Sequence, residues 1–252
     1  MHWKDYFFFA EKIGARYFVV AAIAFLCFYV VLKNKAMYRK IQTRYPRQQD
    51  YLREIGYSVC TIAIFSFVAM LLTRNPVIAP HTTYYKNISD HGWLYFFAAF
   101  PLMLIIHDAY FYWTHRLMHH KKLFSLFHLV HHQSTNPSPW AAYAFHPLEA
   151  ILEAGIFALF LFTIPVHPLH FFVFFFFMIV YNVYGHLGYE LYPKGLNRHW
   201  LGKWINTSVS HNQHHQYFKG NYSLYFTFWD RLMGTLRPDY EQRFEEMTSQ
   251  KA

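Results

Sequence analysis

The sequence predicts an all-α fold: an integral membrane helical bundle with a cytosolic helical cap that carries clusters of histidines. Hydrophobic residues make up 54% of the 252 residues and charged residues only 15%, well below the quarter that is usual in soluble domains. Long apolar runs without charges recur along the chain, as membrane-spanning helices require. The 18 histidines outnumber the 14 Asp and Glu residues together, and no packing argument accounts for so many.

The first two apolar runs predict two membrane spans. Residues 17–32 form an uninterrupted apolar run between Arg16 and Lys33, whose long side chains can carry their charges to the interface. Residues 55–73 contain no charged residue and approach the roughly 20 residues that cross a hydrocarbon core. Both runs are therefore interpreted as membrane helices. The charged residues before the first run do not resemble the start of a cleavable signal sequence, so it is expected to be an uncleaved anchor.

Two later apolar stretches predict the remainder of the bundle. Residues 92–106 run directly into His107, so the third helix is expected to carry histidines out of the membrane. The stretch 154–189 has no Asp, Glu, Lys or Arg but contains Pro165 and Pro168 near its middle. Because proline interrupts a helix, we expect two short helices joined by a tight turn, one or both of which reach only part of the way across the bilayer.

A basic loop sets the predicted orientation. Between residues 33 and 53 there are seven Lys and Arg residues against one Asp, which supplies most of the net charge of +9. A basic loop between two apolar runs is typical of the cytosolic side and of anionic head groups, so nucleic acid is not expected as a partner. With this loop inside, the 74–91 loop lies outside, and every histidine cluster shares the cytosolic side.

The histidine clusters have regular spacings: one His-x-x-x-His in the third helix and two copies of His-x-x-His-His further on. Steps of three and four residues place side chains on one face of a helix, so each cluster, including that at 128–132, is expected to present its imidazoles together. Eight imidazoles are too many for one ion and suit two. They are His115, His119, His128, His131, His132, His211, His214 and His215.

The residue types leave three classes of function open. Imidazole binds zinc, iron, copper or nickel, but a structural zinc site closes with four ligands, which favours a two-metal redox centre. Soluble di-iron bundles use Glu ligands, whereas these three clusters contain no carboxylate. Cys27 and Cys60 both lie in apolar runs and provide no disulfide framework or cysteine zinc site. A metal-binding or transport protein and a structural zinc protein are the alternatives to a redox enzyme.

The clusters belong to an ordered set of motifs that resembles the fatty acid hydroxylase and sterol desaturase superfamily of membrane-bound histidine-box di-iron oxygenases. The resemblance covers about residues 100–237. It implies a catalytic domain at 100–237. Residues 1–99 show no comparable motif and are interpreted as a membrane anchor, with two spans and the start of a third, and residues 238–252 as a cytosolic C-terminal tail. The segments that carry it are 107–119, 128–132, 144–149, 211–215, Asn221-Tyr222 and Trp229-Asp230-Arg231.

The resemblance implies that the eight histidines ligate two non-haem iron ions, with zinc as a metal that can be misloaded, and it adds His186 as a ninth ligand. No catalytic residue is predicted beyond the ligands. His107 shares the ligand face and is interpreted either as a ligand or as a supporting residue. Four carboxylates are expected to accept the second ring N–H of ligand imidazoles: Asp108, Glu149, Glu190 and Asp230. The predicted supporting residues are His107, Asp108, His120, His146, Glu190 and Asp230.

The implied activity is O2-dependent hydroxylation or desaturation of a lipid. The chain has no Gly-x-Gly-x-x-Gly fingerprint and no Cys-x-x-Cys-His sequence, so electrons are expected from a separate donor, by resemblance cytochrome b5 or a ferredoxin with its reductase. The third box and the residues after it resemble the sterol C5-desaturase and C4-methyl-oxidase branch, which favours a sterol-like substrate over a fatty acyl chain. The expected location is the endoplasmic reticulum in a eukaryote or the inner membrane in a bacterium.

Overall fold

The computed structural model describes residues 2–250, and its regular structure is helical throughout, apart from three isolated bridges between extended residues. This confirms the predicted all-α fold. Short 3-10 turns connect the α-helices. The α-helices are α1 (Trp3–Phe25), α2 (Gln48–Arg74), α3 (Gly92–Met118), α4 (Phe124–Phe127), α5 (Leu129–His132), α6 (Pro147–Thr163), α7 (Pro168–Gly185), α8 (Ser208–Tyr217), α9 (Phe228–Leu232) and α10 (Tyr240–Ser249).

Four helices are long and apolar enough to cross a membrane: α1 with its π-helical end, which together cover Trp3–Val31, and α2, α3 and α7. Helices α2 and α3 contain the second and third predicted apolar runs, and α7 contains most of the second half of the 154–189 stretch. The first run, except for Leu32, lies in α1 and its π-helical end, but α1 begins well before it. Its first turn is closed by Asp5, whose carboxylate accepts the backbone N–H of His2 at 3.2 Å. Helix α3 continues through Pro101 without a break. It therefore carries the first histidines directly out of its apolar segment.

Helices α6 and α7 form the predicted hairpin, with Pro165 and Pro168 at its turn. The turn packs against the loop between α2 and α3. There the backbone N–H of Tyr85 donates to the carbonyl of Val166 at 3.0 Å, and Val166 donates to the carbonyl of Thr83 at 3.2 Å. This end of the bundle lies opposite to the end at which α3 and α7 reach the histidines.

One buried apolar cluster joins the N-terminal helices to the rest of the bundle. It includes Tyr17 of α1, Ile62 of α2, Tyr143 in the turn before α6, Phe160 of α6 and Val183 of α7. Burial of such side chains is the main favourable contribution to folding. The predicted anchor and the predicted catalytic region therefore share a core, and the boundary placed at residue 99 stays a prediction.

The C-terminal segment, predicted as a tail, contains a packed helix. Tyr240, Phe244 and Met247 of α10 are buried with Val209 of α8 and with Ile41 of the basic loop. Spacings of four and three residues put these apolar side chains on one face of α10. The helix consequently covers the back of α8, which carries the third histidine box.

Candidate metal centre

The nine histidines predicted as ligands converge on one end of the bundle. The last turn of α3 carries His115 and ends at His119. His128 begins α5, and His186 ends α7. The remaining histidines lie on α5 and α8. Helix α8 begins at Thr207, whose hydroxyl accepts the backbone N–H of Ser210 at 3.2 Å, a usual N-terminal cap.

The structure sorts these histidines into two groups, within each of which one ligand atom per residue lies within 4.8 Å of the others. Consecutive residues on a helix point about 100° apart, so neighbouring histidines in one box face different groups. Neither His-x-x-His-His box therefore presents one common face as its spacing predicts. In each box the first and last histidines, four residues apart, share a group, and the middle one faces the other group. The five-histidine group contains His115, His119, His128, His132 and His214, and the four-histidine group contains His131, His186, His211 and His215.

Within each group the Nε2 atoms approach one another closely. In the five-histidine group, Nε2 of His119 lies 3.2 Å from that of His214 and 3.1 Å from that of His132. In the four-histidine group, Nε2 of His186 lies 3.0 Å from that of His211 and 3.2 Å from that of His215. The donor atoms of each group thus surround a common point.

Hydrogen bonds to backbone carbonyls fix the tautomers of four rings. Because a carbonyl only accepts, the Nδ1 atoms must carry the proton and each Nε2 presents a lone pair. Two lone pairs 3.2 Å apart repel each other unless a cation lies between them, so the donor set fits bound metal ions. The Nδ1 contacts are His115 to Tyr222 (2.8 Å), His186 to Asn182 (2.8 Å), His214 to Gly220 (2.8 Å) and His215 to Ser134 (3.0 Å).

Burial keeps the clustered imidazoles neutral. It lowers the pKa of the six histidines on and beside α5 and α8 well below the ordinary value for the side chain, and the neighbouring imidazoles lower it further. Since metals bind the neutral ring, these side chains are in the ligating form at neutral pH. The six are His128, His131, His132, His211, His214 and His215.

Glu149 is the carboxylate that contacts a cluster imidazole directly. Its Oε1 accepts the Nδ1–H of His128 at 2.7 Å, and both side chains are buried. Nε2 of His128 has no hydrogen-bond partner among the described residues, and neither has Nε2 of His115. A carboxylate behind an imidazole fixes its tautomer and strengthens it as a donor, so Glu149 directs the lone pair of His128 into the five-histidine group.

Glu190 and Asp230 support the site through the backbone. Glu190 accepts the backbone N–H of Val209 at 3.0 Å, in the first turn of α8, and the hydroxyl of Tyr184 at 2.7 Å. Asp230 accepts the backbone N–H groups of Tyr222 and Ser223, both at 2.9 Å. These carboxylates therefore position the helix and the loop that hold the imidazoles, whereas the sequence predicted direct contact with the rings.

Two predicted supporting residues lie deeper along α3. Asp108 accepts the backbone N–H groups of Tyr225 and Phe226 at 2.9 and 3.1 Å. His107 is buried, and its Nδ1 lies 2.9 Å from the hydroxyl of Tyr225. The structure thus places His107 outside both groups, and it joins α3 to the loop before α9.

The other two predicted supporting residues lie away from the ring contacts. His120 is exposed on the turn after α3, where its Nδ1 accepts the backbone N–H of Lys122 at 3.4 Å. His146 begins α6, and its Nδ1 accepts the backbone N–H of Leu148 at 3.3 Å. His146 thus caps α6, and His120 is a surface residue.

Sequence reasoning did not find the backbone acceptors that orient the rings. The loop after α8 winds through left-handed conformations, with φ of 60° at Phe218 and 80° at Gly220, and so turns carbonyls back toward α8. A Cβ at Gly220 would lie 2.7 Å from the carbonyl oxygen of Thr235, so the tight approach requires glycine. The pair Asn221-Tyr222 was the available signal for this loop.

Comparison with known proteins gives related sterol enzymes. The chain is 28% identical over 229 residues to the Delta(7)-sterol 5(6)-desaturase ERG3B of Gibberella zeae, which covers 89% of this chain and 69% of the relative. It is 29% identical to lathosterol oxidase of Mus musculus, over 73% of this chain and 60% of the relative. A third relative, the Delta(7)-sterol 5(6)-desaturase erg3C of Aspergillus fumigatus, is 33% identical over 61% of this chain and 52% of the relative.

The chain therefore spans between about half and just over two thirds of the length of these relatives. No solved structure matches it. A family model described as fatty acid hydroxylase matches residues 100–235, which is more than half of the chain and contains all nine clustered histidines. These matches confirm the predicted resemblance: the chain belongs to the fatty acid hydroxylase family.

Proposed function

We propose that this protein is a membrane-bound non-haem di-iron oxidoreductase that uses O2 and external electrons to desaturate or hydroxylate a sterol-like lipid. The observation that carries the proposal is the pair of adjacent, buried histidine groups at one end of an apolar helical bundle. The five-histidine and four-histidine groups would each hold one iron. Two bound irons would supply the activation of O2 and the electron transfer that oxidation of an unactivated C–H bond needs.

Hydrogen bonds within the chain orient the imidazoles that would bind the irons. Tyr222 and Gly220 accept the Nδ1–H groups of His115 and His214, and Glu149 accepts that of His128. Each contact points the Nε2 lone pair of its ring into the five-histidine group, so these rings are already oriented for metal. Burial of the rings also excludes water from the site, which strengthens electrostatic interactions there.

A lipid substrate follows from the surroundings of the site. Helices α3 and α7 expose large apolar side chains along their length, including Ile105, Phe172 and Phe176, as helices in contact with lipid do. Both helices end at the histidine groups. Two of the relatives are named as a Delta(7)-sterol 5(6)-desaturase and a lathosterol oxidase. These names favour a sterol-like substrate over a fatty acyl chain, the alternative within this enzyme class.

The electron donor and the orientation are part of the proposal. The basic 33–53 loop lies at the same end of the molecule as the histidines, since Gln42 contacts Asn212 of α8 at 2.9 Å. A cytosolic position for this loop puts the metal centre on the cytosolic side. A basic face suits an acidic partner, so we expect cytochrome b5 or a ferredoxin with its reductase. The membrane would be the endoplasmic reticulum in a eukaryote or the inner membrane in a bacterium.

A metal-binding or transport protein is the alternative from another class. Ligands for ion transfer should recur along the membrane-spanning helices, but the two groups lie together at one end of the bundle. Within the described residues these are the clusters with metal-ligating geometry. This arrangement favours a resident metal centre over a transfer path.

The proposal is tested by metal content and Mössbauer spectra of the detergent-purified protein after growth on labelled iron. We expect about two irons per chain, consistent with two separate donor groups, and loss of iron from His131→Ala and His214→Ala. His120→Ala, which removes an exposed histidine from the same region, is the matched control and should keep its iron. Failure to bind iron on anaerobic reconstitution would contradict the proposal and favour a structural or transport role.

Activity is then tested in nanodiscs with a Delta(7)-sterol, O2 and a reduced donor. Formation of a desaturated or hydroxylated sterol by the parent and the His120→Ala variant, but not by His131→Ala, is the expected result. A protein that binds two irons but oxidises a fatty acyl lipid instead of any sterol would support the alternative substrate.

A further inference from the structure

The metal centre extends beyond the region that the family model matches. That match begins at residue 100, yet residues 37–53 contact three segments next to the four-histidine group. These residues, called the N-terminal loop below, comprise the connection before α2 and the first turns of α2. The first contact is backbone pairing. Ile41 donates to the carbonyl of Gly188 and Glu190 donates to the carbonyl of Arg39, both at 3.0 Å. This pairing holds the segment that directly follows His186.

A side-chain cage reinforces the same contact. Lys40 is 3% exposed, and its Nζ lies 5.1 Å from the ring centres of Tyr45 and Tyr189 and 5.7 Å from that of Tyr29. Burial lowers the pKa of Lys40 to about 8. The hydroxyls of Tyr45 and Tyr189 lie 2.9 Å apart. Cation–π contact with three rings replaces part of the lost hydration of the ammonium group and ties the N-terminal loop to residue 189.

Gln42 connects the other two segments. Its Nε2 lies 2.9 Å from the carbonyl oxygen of Thr135 and 2.9 Å from Oδ1 of Asn212. Both partners accept, so both hydrogens of the amide are used. Thr135 follows the second box, and Asn212 is fully buried beside His211 in the third box. One amide therefore bridges the second and third boxes, which carry three of the four ligands of the four-histidine group together with His128, His132 and His214 of the other group.

Arg53 contacts the residue whose carbonyl orients His215. Its guanidinium donates to the hydroxyl of Ser134 at 3.1 Å and pairs with Asp50 at 2.8 Å. The carbonyl of Ser134 accepts the Nδ1–H of His215 at 3.0 Å. Asn136, two residues on, donates to the carbonyl of Arg44 at 2.7 Å. The N-terminal loop thus holds the backbone that orients His215.

The five-histidine group is held differently. Its direct partners are Glu149 and the carbonyls of Gly220 and Tyr222, all inside the region that the family model matches. From this difference we propose that Gln42 is a positioning residue for the four-histidine group, acting through Thr135 and Asn212. The inference rests on the proposed metal ligation and goes beyond it, because it assigns part of the centre to the N-terminal loop.

The test is anaerobic titration of the metal-free, detergent-purified full chain with Fe(II), followed by Mössbauer spectra at each step. Gln42→Glu keeps the size of the side chain but puts an acceptor against two acceptors. Loss of a partner that hydrogen-bonds a ligand directly lowers metal affinity roughly tenfold to a hundredfold. Gln42 is one contact further from the ligands, so one equivalent of Fe(II) should bind as in the parent and the other up to about tenfold more weakly. Gln49→Glu makes the same charge change at an exposed position close by and should match the parent.

Gln42→Met removes both donors without adding charge, and Arg53→Gln removes the contact with Ser134. Both should weaken the same equivalent, which keeps the test decisive where Gln42→Glu does not fold. If the Gln42 variants bind both equivalents of Fe(II) as tightly as the parent does, the positioning role is overturned and the proposed function stays intact. Equal weakening of both equivalents would also overturn it, because the loop would then support the whole cap. A parent that binds no iron would instead contradict the proposed function.

Discussion

In the five-histidine group the imidazoles are oriented by Glu149 of α6 and by the left-handed loop after α8. In the four-histidine group they are oriented by the end of α7 and by backbone that the N-terminal loop contacts. The two groups use the same side chain and lie side by side. They differ in which part of the chain positions them. An imidazole can therefore be oriented by a carboxylate, by a loop in left-handed conformation or by a segment distant in sequence. A substitution can remove each of these contacts separately.

The largest expected effect comes from removing one ligand in each group. Under the proposed function both metals take part in one reaction, so His119→Ala and His211→Ala should each abolish lipid oxidation while leaving the other group able to bind its ion. The double variant should lose both metals without a further loss of activity. Product formation in nanodiscs and iron content measure this. Partial activity in either single variant would show that the groups act independently.

An intermediate effect is expected at Glu149. Glu149→Met leaves the Nδ1–H of His128 buried without its acceptor, and loss of such a partner lowers metal affinity roughly tenfold to a hundredfold. Glu149→Met should weaken binding of one equivalent of Fe(II), and Gln42→Glu should weaken binding of the other. This result would show that different parts of the chain support the two groups.

Glu149→Gln is the matched control for that prediction. Its amide oxygen can still accept the Nδ1–H, so its affinity should lie closer to that of the parent in the same anaerobic titration. If Glu149→Met titrates like the parent, the carboxylate does not orient His128, and the contact at 2.7 Å has only a packing role.

The smallest effect is expected at Gly220. Gly220→Ala adds a Cβ at a residue with φ of 80° and places it 2.7 Å from the carbonyl oxygen of Thr235. We expect a loss of about 1–3 kcal/mol in unfolding free energy and a smaller decrease in metal affinity, because the carbonyl that holds His214 shifts. Unfolding of the metal-free protein in detergent measures the first effect. Unchanged stability would mean that the loop can relax around the methyl group.

Local sequence patterns predicted most of the membrane helices and most of the clustered histidines. The apolar runs at 55–73 and 92–106 lie within α2 and α3, and the prolines at 165 and 168 lie at the turn of the hairpin. Steps of three and four residues selected the histidines that the structure brings together. Those signals are short in range, since helix periodicity and proline chemistry act over one or two turns. His186 came from the family resemblance, because a single histidine has no spacing to identify it.

The sequence by itself determined the helical membrane fold and eight of the nine clustered histidines, because both depend on residue type and local spacing. The tertiary structure decided how the set divides, since the direction of each ring depends on how α3, α5, α7 and α8 are oriented in space. It also decided which residues hold the rings. Most of these contacts use backbone carbonyls, which every residue possesses, so no residue type marks them. The bridge from Gln42 to Asn212 joins residues 170 positions apart, and only folding brings them together.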